Sequence, residues 1–498
     1  MALQQILPAP FSTTPKIEEA RSYALDDADP KWLEPLRSKF GDGQVHADFE
    51  TRLAHSRDRL PYGRFQHRSG RLTRALPGAV LELTTIEQTV QAVDFATENN
   101  LCVIPFGNGS GVLGGTVPFD GELVLSLRKM DKIIEVDEQN NVVRVEAGVN
   151  GRVLETALNE RGYTCGHFPQ SLDMSTVGGW VACRGSGQGS TRYGNIENMV
   201  VGMQAILPNG KTVTIRHAPR RSVGPSLIDI FIGSEGTLGL IVEVTLKIWR
   251  CPAHAIESVV CFPSVGAGLN ALRDVMQAEL RPSLLRLYDR GESERWGEDD
   301  LAGGDQSVLC MVEFSGRKGV ADAEQAEAND IFEKHGGSIV GEGPVQRWKS
   351  VRFKSHSDAH VDAGGYYDTI EVSAPWSRIE KMYDAIRSQI TEKHAVALLN
   401  AHWSHAYSDG ACMYMTMKLP AVPDDAGFRM HTDIWNIVMR TCLDMGGSIS
   451  HHHGIGYFRG KWLVEELGGG HEVLTHLKNA LDPCGLFNPG KMDFSSDG

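Results

Sequence analysis

The run "PFGNGSGVLGGTVP" (residues 105–118) restricts the fold of this chain more than any other stretch. It sets five glycines in fourteen residues directly behind the apolar strand pattern "CVIP". Without a Cβ, such a loop presents successive backbone N–H groups and lets a phosphate approach closely. It is not the G-x-x-x-x-G-K-[ST] loop, and it lacks the Rossmann spacing with its following helix and ribose-binding acid. Alone it suits a surface loop equally well. Two further stretches, "SLDMSTVGGWVACRGSGQGSTRYGNIENMV" (171–200) and "IGSEGTLGLI" (232–241), again set glycines and hydroxyls between regular elements. Three such loops point to one long, polar, phosphate-containing ligand threaded between two subdomains.

The texture around the loops divides the chain of 498 residues, which is long enough for more than one core. Residues 1–70 carry helix-period apolar positions in "DPKWLEPLRSKF" and "DFETRLAHSRDRL" and are expected to form an N-terminal helical arm. Residues 71–252 alternate short strands and helices: "AVLELT", then "TIEQTVQAVDFATENN", then "CVIPFG", then the hairpins "IIEVDEQNNVVRVEAG" and "MVVGMQAILPNGKTVTI", the second turned by Asn209-Gly210. Residues 253–458 repeat a strand–helix alternation, from "SVVCF" to "DIWNIVMRTCLDMGG", which predicts an antiparallel sheet covered by helices. Residues 459–498 form a C-terminal segment.

Composition removes several function classes. A net charge of −14 argues against a nucleic-acid binder. No stretch approaches the length of an apolar bilayer span, and the N-terminus lacks the basic and apolar regions of a signal peptide. The nine cysteines are scattered, odd in number and without a C-x-x-C pair, as in a reduced, cytoplasmic protein. A small molecule is therefore the expected partner, with neither nucleic acid nor an integral membrane segment.

The loops, taken with "STVGGW", "YGNIE", "GSEGTLG" and the late "NPGK", resemble the FAD-binding fold of vanillyl-alcohol oxidase-type (PCMH-type) flavoproteins. The likeness runs from about residue 76 to residue 491. Within that superfamily "SAPW" and "SHHHGIG" most resemble alkyl-dihydroxyacetonephosphate synthase. The resemblance implies an α+β protein: a two-subdomain FAD-binding domain, a cap domain for substrate, and a tail that returns to the first domain. It also implies a set of FAD contacts. Pro105, Gly107, Asn108, Gly109, Ser110 and Gly111 would wrap the pyrophosphate. Asp173, Ser175, Thr176 and Gly179 would follow the flavin side, with Ser186 and Gly187 in the next turn. Glu235, Thr237, Gly239 and Ile241 would hold the adenosine end, and Asn488 and Lys491 would return from the tail. The glycine loop contains no histidine, so non-covalent FAD is expected; His356, His360 and His402 are the cap histidines weighed as alternative attachment points. Family members are often homodimers, and the same is expected here.

The three histidines of "ISHHHGIGYF" pose the catalytic question. Adjacent side chains diverge on a strand or a helix, so they do not readily converge on one ion. Hydroxy-acid dehydrogenases of the same superfamily use two histidines and a glutamate for a metal. Here His405 remains, while Tyr414 and His452 stand at the other two places, so no metal is expected. The resemblance instead makes Tyr414, His452 and His453 an acid–base group, with imidazoles titrating near neutrality and a phenolate or imidazole as base. His451 is expected to be structural. Arg286 and Arg352 are the candidate substrate anchors. Hydride transfer from a hydroxylated small molecule to the flavin is the leading expectation; redox-neutral acyl-to-alkyl exchange in ether lipid synthesis is the alternative. The absence of an arginine shortly before "SAPW", where aspartates and histidines stand, favours a neutral substrate.

Overall fold

The computed structural model describes residues 14–26, 30–297, 301, 304, 306–354 and 357–494. The first strands are β1 (Val45–His46), β2 (Ala79–Glu82), β3 (Val103–Phe106) and β4 (Leu123–Ser126). They form one sheet in the order β1-β2-β4-β3, parallel except for β1. Next come β5 (Ile133–Asp137), β6 (Val142–Glu146), β7 (Tyr163–Thr164), β8 (Val200–Ile206), β9 (Thr212–Ile215), β10 (Leu240–Lys247) and β11 (Trp249–Arg250). Five of these make an antiparallel sheet ordered β5-β6-β10-β8-β9, and β7 pairs with β11. The helix Ile86–Glu98 begins where Thr85 accepts the Gln88 N–H, and it buries Ala92, Val93 and Ala96 on the first sheet.

The cap contains β12 (His254–Phe262), β13 (Leu284–Tyr288), β14 (Val308–Gly316), β15 (Ser338–Gly341), β16 (Tyr366–Pro375), β17 (Leu398–Ala406) and β18 (Gly410–Leu419). Their order is β15-β12-β14-β13-β17-β18-β16, and every pairing is antiparallel. Strand alternation sorts the residues between two faces. Val308, Cys310, Val312 and Phe314 join Met413, Met415 and Met417 in the core beneath the helices Val265–Gln277, Lys318–Lys334, Trp376–Lys393 and Asp424–Asp444. Leu309 and Met311 point the other way, to a smaller core with Val345 and Trp348 of the helix Gly343–Val351. That second cover is partial. Beyond it the β13, β17, β18 and β16 surface faces the first domain, and the candidate site lies there.

The N-terminal segment is more than an arm. Leu33, Leu36 and Phe40 are buried against Leu81 and Val93, and Val45 pairs with Leu81 in the first sheet. Farther on, Tyr62 and Phe65 enter the main core of the cap, and Arg68 donates to the carbonyls of Val361 and Gly365. Apolar positions at helical spacing need a surface to cover, and this segment covers one on each domain. In the tail, Val103 N donates to Leu486 O and Asn488 N to Val103 O, which ties the chain end to β3.

Candidate active site

One cavity of about 450 Å³ lies between the two domains. On the first-domain side its wall is built from the three small-residue loops. Pro105, Gly107, Asn108, Gly109, Ser110 and Gly111 come from the end of β3; Ser175, Thr176, Gly179 and Ser186 from the second loop; Glu235, Gly239 and Ile241 from the third. Thr176 caps the helix Val177–Ala182 through the Gly179 N–H, and its Oγ1 would stand 2.4 Å from a Cβ at position 107, so only glycine fits there. Thr116 Oγ1, Gln188 Oε1 and both ring nitrogens of His167 are buried on this wall without a hydrogen-bond partner among the described residues. Buried polar groups normally have partners, so the wall suits a polar ligand. Glycine-lined backbone, hydroxyls and orphaned polar atoms fit the FAD implied by the sequence.

Five of the expected contacts stand off this wall. Asp173 is exposed and paired with Arg152 at 2.7 Å, and Gly187 packs against the Phe168 backbone. Thr237 Oγ1 donates to Ser234 O. Asn488 Nδ2 donates to Gly115 O and Glu235 O, and Lys491 Nζ to Val117 O, so the tail braces the glycine loop from behind. Glu235 does line the cavity, but its carboxylate accepts the N–H groups of Ile455 and Gly456 at 2.6 and 2.7 Å. It joins the third loop to the histidine loop instead of reaching for an adenosine. Of the cap histidines, His360 is bound to Leu419 O away from the wall, His402 lies on the wall, and His356 lies outside the described residues.

The acid–base candidates Tyr414, His452 and His453 and the anchors Arg286 and Arg352 meet on the opposite wall, and His405, retained from the metal-site pattern and also a catalytic candidate, joins them. β13 and β18 bring Arg286 and Tyr414 by alternation, opposite Leu287 and Met413. His405 arrives differently. It is the extra residue of a bulge between the pairs Ser404↔Cys412 and Ala406↔Ala411, at a φ of 50°. A bulge re-aims one side chain, and this one presents His405 to Ser190 Oγ at 2.6 Å and to the rings of His451 and His452 at 5.0 Å. Tyr414 is stacked on His402 at 4.7 Å and faces His452 at 6.0 Å.

Two residues that sequence reasoning passed over hold this arrangement. Glu371, on β16, is fully buried and bound bidentately by fully buried Arg459, with both contacts at 3.0 Å. The same carboxylate accepts the backbone N–H groups of His451, His452 and His453. Three successive N–H groups turned to one acceptor curl the segment out of regular structure, so neighbouring side chains converge. The expected divergence fails for that reason, and His451 Nδ1 lies 3.0 Å from His452 Nδ1. The signal for Glu371 was a carboxylate set between Ile370 and Val372 in the strand "YDTIEVSAP", on the face opposite those two apolar residues.

Burial sets the charges. It would push Glu371 up, but the Arg459 charge and then His453 hold it down to about 2. Desolvation, followed by the neighbouring imidazoles, keeps His452 and His405 well below the usual histidine range and His451 at about 4. The histidines are therefore neutral near pH 7 instead of titrating there. His402 Nε2 accepts from Arg286 Nη2 at 2.8 Å, which fixes its tautomer, and desolvation with the Arg286 charge keeps it neutral. Burial pushes the Tyr414 hydroxyl up, so it is a phenol and not a phenolate. His405, His451 and His452 bring one nitrogen each within 4.8 Å of one another. Both nitrogens of His451 are nevertheless engaged, with His452 and Tyr407, and the cluster is internally hydrogen-bonded.

The arginines change the reading of the substrate side. Arg286 and Arg352 lie over the Trp348 ring at 5.4 and 5.6 Å, and neither has a carboxylate within ion-pair distance among the described residues. Arg59, Arg64, Arg295 and Lys354 line the same cavity. Asp358 is off the wall and paired with Arg64; Asp368 lines the cavity, with its carboxylate accepting from His431 and from Trp435. Arginines from other elements thus line the cavity although the stretch before "SAPW" supplies none.

Comparison with known proteins agrees with this architecture. Residues 77–216 match the FAD binding domain model, and residues 252–492 match that of the C-terminal domain of FAD linked oxidases. An uncharacterized FAD-linked oxidoreductase of Escherichia coli K12, YgcU, is 32% identical, over 92% of this chain and 97% of its own. Alkyldihydroxyacetonephosphate synthase of Caenorhabditis elegans is 30% identical, over 84% of this chain and 76% of its own. A solved alkyldihydroxyacetonephosphate synthase superposes with a TM-score of 0.80 at 23% identity, over 97% of this chain and 89% of that one. Substrate-bound p-cresol methylhydroxylase superposes with 0.72 at 16% identity, over 93% and 96%. With a cavity lined by the FAD-type loops of one domain and the cap of the other, this chain belongs to the FAD-linked oxidoreductase family, in the PCMH-type fold.

Proposed function

We propose that this protein oxidises a hydroxylated small molecule that carries an anionic group. The observation that carries the reading is the cap wall, where neutral imidazoles and a phenol stand beside two guanidinium groups without carboxylate partners. FAD, when bound, supplies the acceptor for the two electrons and hydrogen leaving the substrate carbon. Arg286 and Arg352 hold the anion, and the fork of a guanidinium suits a carboxylate or a phosphate. His452, kept neutral by burial, takes the hydroxyl proton as C=O forms, and Tyr414 donates a hydrogen bond to the same oxygen. A positioned base of this kind contributes about 10²–10⁴-fold. The experiment is anaerobic mixing of the flavoprotein with a panel of 2-hydroxy acids, phosphorylated polyols and plain alcohols. Bleaching of the flavin by an anionic member is expected.

The second reading is the redox-neutral exchange of an acyl for an alkoxy group on a dihydroxyacetone phosphate ester. It is favoured by the 30% identity to the worm synthase and by the arginines available for a phosphate. If no hydroxylated compound bleaches the flavin, while acyl-dihydroxyacetone phosphate consumes a fatty alcohol, the oxidase reading is overturned.

A further inference from the structure

Behind His452 a file of hydrogen-bonded side chains leads away from the cavity as far as Tyr407, where a branch through Asn195 returns to Ser186 on the cavity wall. His452 Nδ1 lies 3.0 Å from His451 Nδ1, and His451 Nε2 lies 2.7 Å from Tyr407 Oη. Asn195 Nδ2 donates to Tyr407 Oη at 2.8 Å, and Asn195 Oδ1 accepts from Ser186 Oγ at 2.8 Å. Tyr407 is half-buried, and the next two residues, Ser408 and Asp409, are exposed. Imidazole nitrogens at 3.0 Å share one proton, so His451 spends each of its nitrogens on one neighbour in the file. His452 keeps Nε2 for the cavity that it lines.

A buried imidazole that takes up a proton in a desolvated cavity cannot hold it cheaply, and the cavity wall around it carries arginines. The proton needs an exit. We propose that His451 and Tyr407 conduct the proton taken up by His452 out of the cavity to solvent, as relay residues that never touch the substrate. The proposal rests on the reading of His452 as the group that receives the hydroxyl proton. In the step, the substrate O–H bond breaks and an N–H bond forms at His452 Nε2. The His452 Nδ1 proton then passes to His451 Nδ1, the His451 Nε2 proton passes to Tyr407 Oη, and the Tyr407 hydroxyl proton passes to water. Each member is neutral before and after, and one proton has crossed. Asn195 is the positioning residue, because its N–H occupies one lone pair of Tyr407 and aims the hydroxyl.

The alternative is a static brace in which the same bonds only hold the histidine loop. Solvent exchange of the His452 imidazole proton separates the two, read by NMR on the holoenzyme with ¹⁵N-labelled histidine and no substrate present. Tyr407→Phe keeps the ring and removes the hydroxyl. Exchange at His452 is expected to slow at least tenfold in this variant, while exchange at His402, outside the file, stays unchanged. Unchanged exchange at His452 overturns the relay. His451→Gln breaks the file at a second point and must give the same slowing; it decides the matter if Tyr407→Phe does not fold. Because no substrate is used, failure here leaves the oxidase reading standing, whereas failure of the flavin-bleaching experiment removes the proton's source while the exchange rates still report whether the path conducts.

Discussion

At the scale of single residues, the chemistry depends on charges that burial forbids or permits. Tyr414 and His452 face each other in a site where both are uncharged, so the phenol is a hydrogen-bond donor and the imidazole the base. Tyr414→Phe is expected to lower kcat by about 10²-fold with flavin binding intact, measured by rapid-mixing reduction of the flavin. Glu371 is the anchor of the whole group. Glu371→Gln leaves Arg459 charged and fully buried without its partner, a loss of about 3–5 kcal/mol for a broken buried pair, measurable by urea unfolding. The pH dependence follows from the same residues. Each depressed group adds stability above its unfolded value and loses it as pH falls towards its folded value. Urea midpoints should therefore fall first below about 6.5, where the buried imidazoles would charge in the unfolded chain. They should fall again from 4.5 towards 2 as Glu371 is protonated, a step of roughly 3 kcal/mol.

At the scale of elements, alternation was legible wherever the apolar pattern was continuous. β14, β16 and β18 could be read directly, and so could the placing of Cys412, Tyr414 and Thr416 on one face. β17 could not, because "LLNAHWSHA" sets Asn400, His402, Ser404 and His405 into the pattern. Of these, His402 lines the cavity and His405 bulges into it. The histidine loop was illegible for a different reason. Its shape comes from carboxylates far away in the chain, Glu371 at its start and Glu235 at its end. Gly456 is the tightest point, at a φ of 54° with Leu113 O only 2.0 Å from where a Cβ would stand. Gly456→Ala must push the histidine loop away from the glycine loop. The expected result is a loss of about 1–3 kcal/mol and a lower ratio of bound flavin to protein, read by thermal melting and the visible spectrum.

At the scale of the molecule, the segment before residue 70 closes the interface between the domains. Arg59 N donates to Gly111 O, Arg64 donates to Ser357 and Asp358, and Arg68 reaches the cap backbone. Leu33 and Leu36 meanwhile complete the core of the first domain. A chain that starts at residue 71 is expected to lose both supports. It should yield little folded protein and retain no flavin, checked by circular dichroism and the absorbance of bound flavin. Among the described residues no helix is long and apolar enough to cross a membrane.

The sequence by itself determined the class of fold, the three small-residue loops that line one cavity, the cofactor, and most of the side chains on the cavity walls. The strands, helices and small-residue loops rest on local periodicity and on glycine, whose freedom is written into each position; the cofactor and the side chains facing it rest on the resemblance those motifs carry. Only the tertiary structure decided the state and task of those side chains. Whether an imidazole is neutral, a phenol is ionised or an arginine is unpaired depends on desolvation and on partners from other elements. The curl that turns three consecutive histidines into one group depends on a carboxylate about eighty residues earlier in the chain, and no local pattern records it.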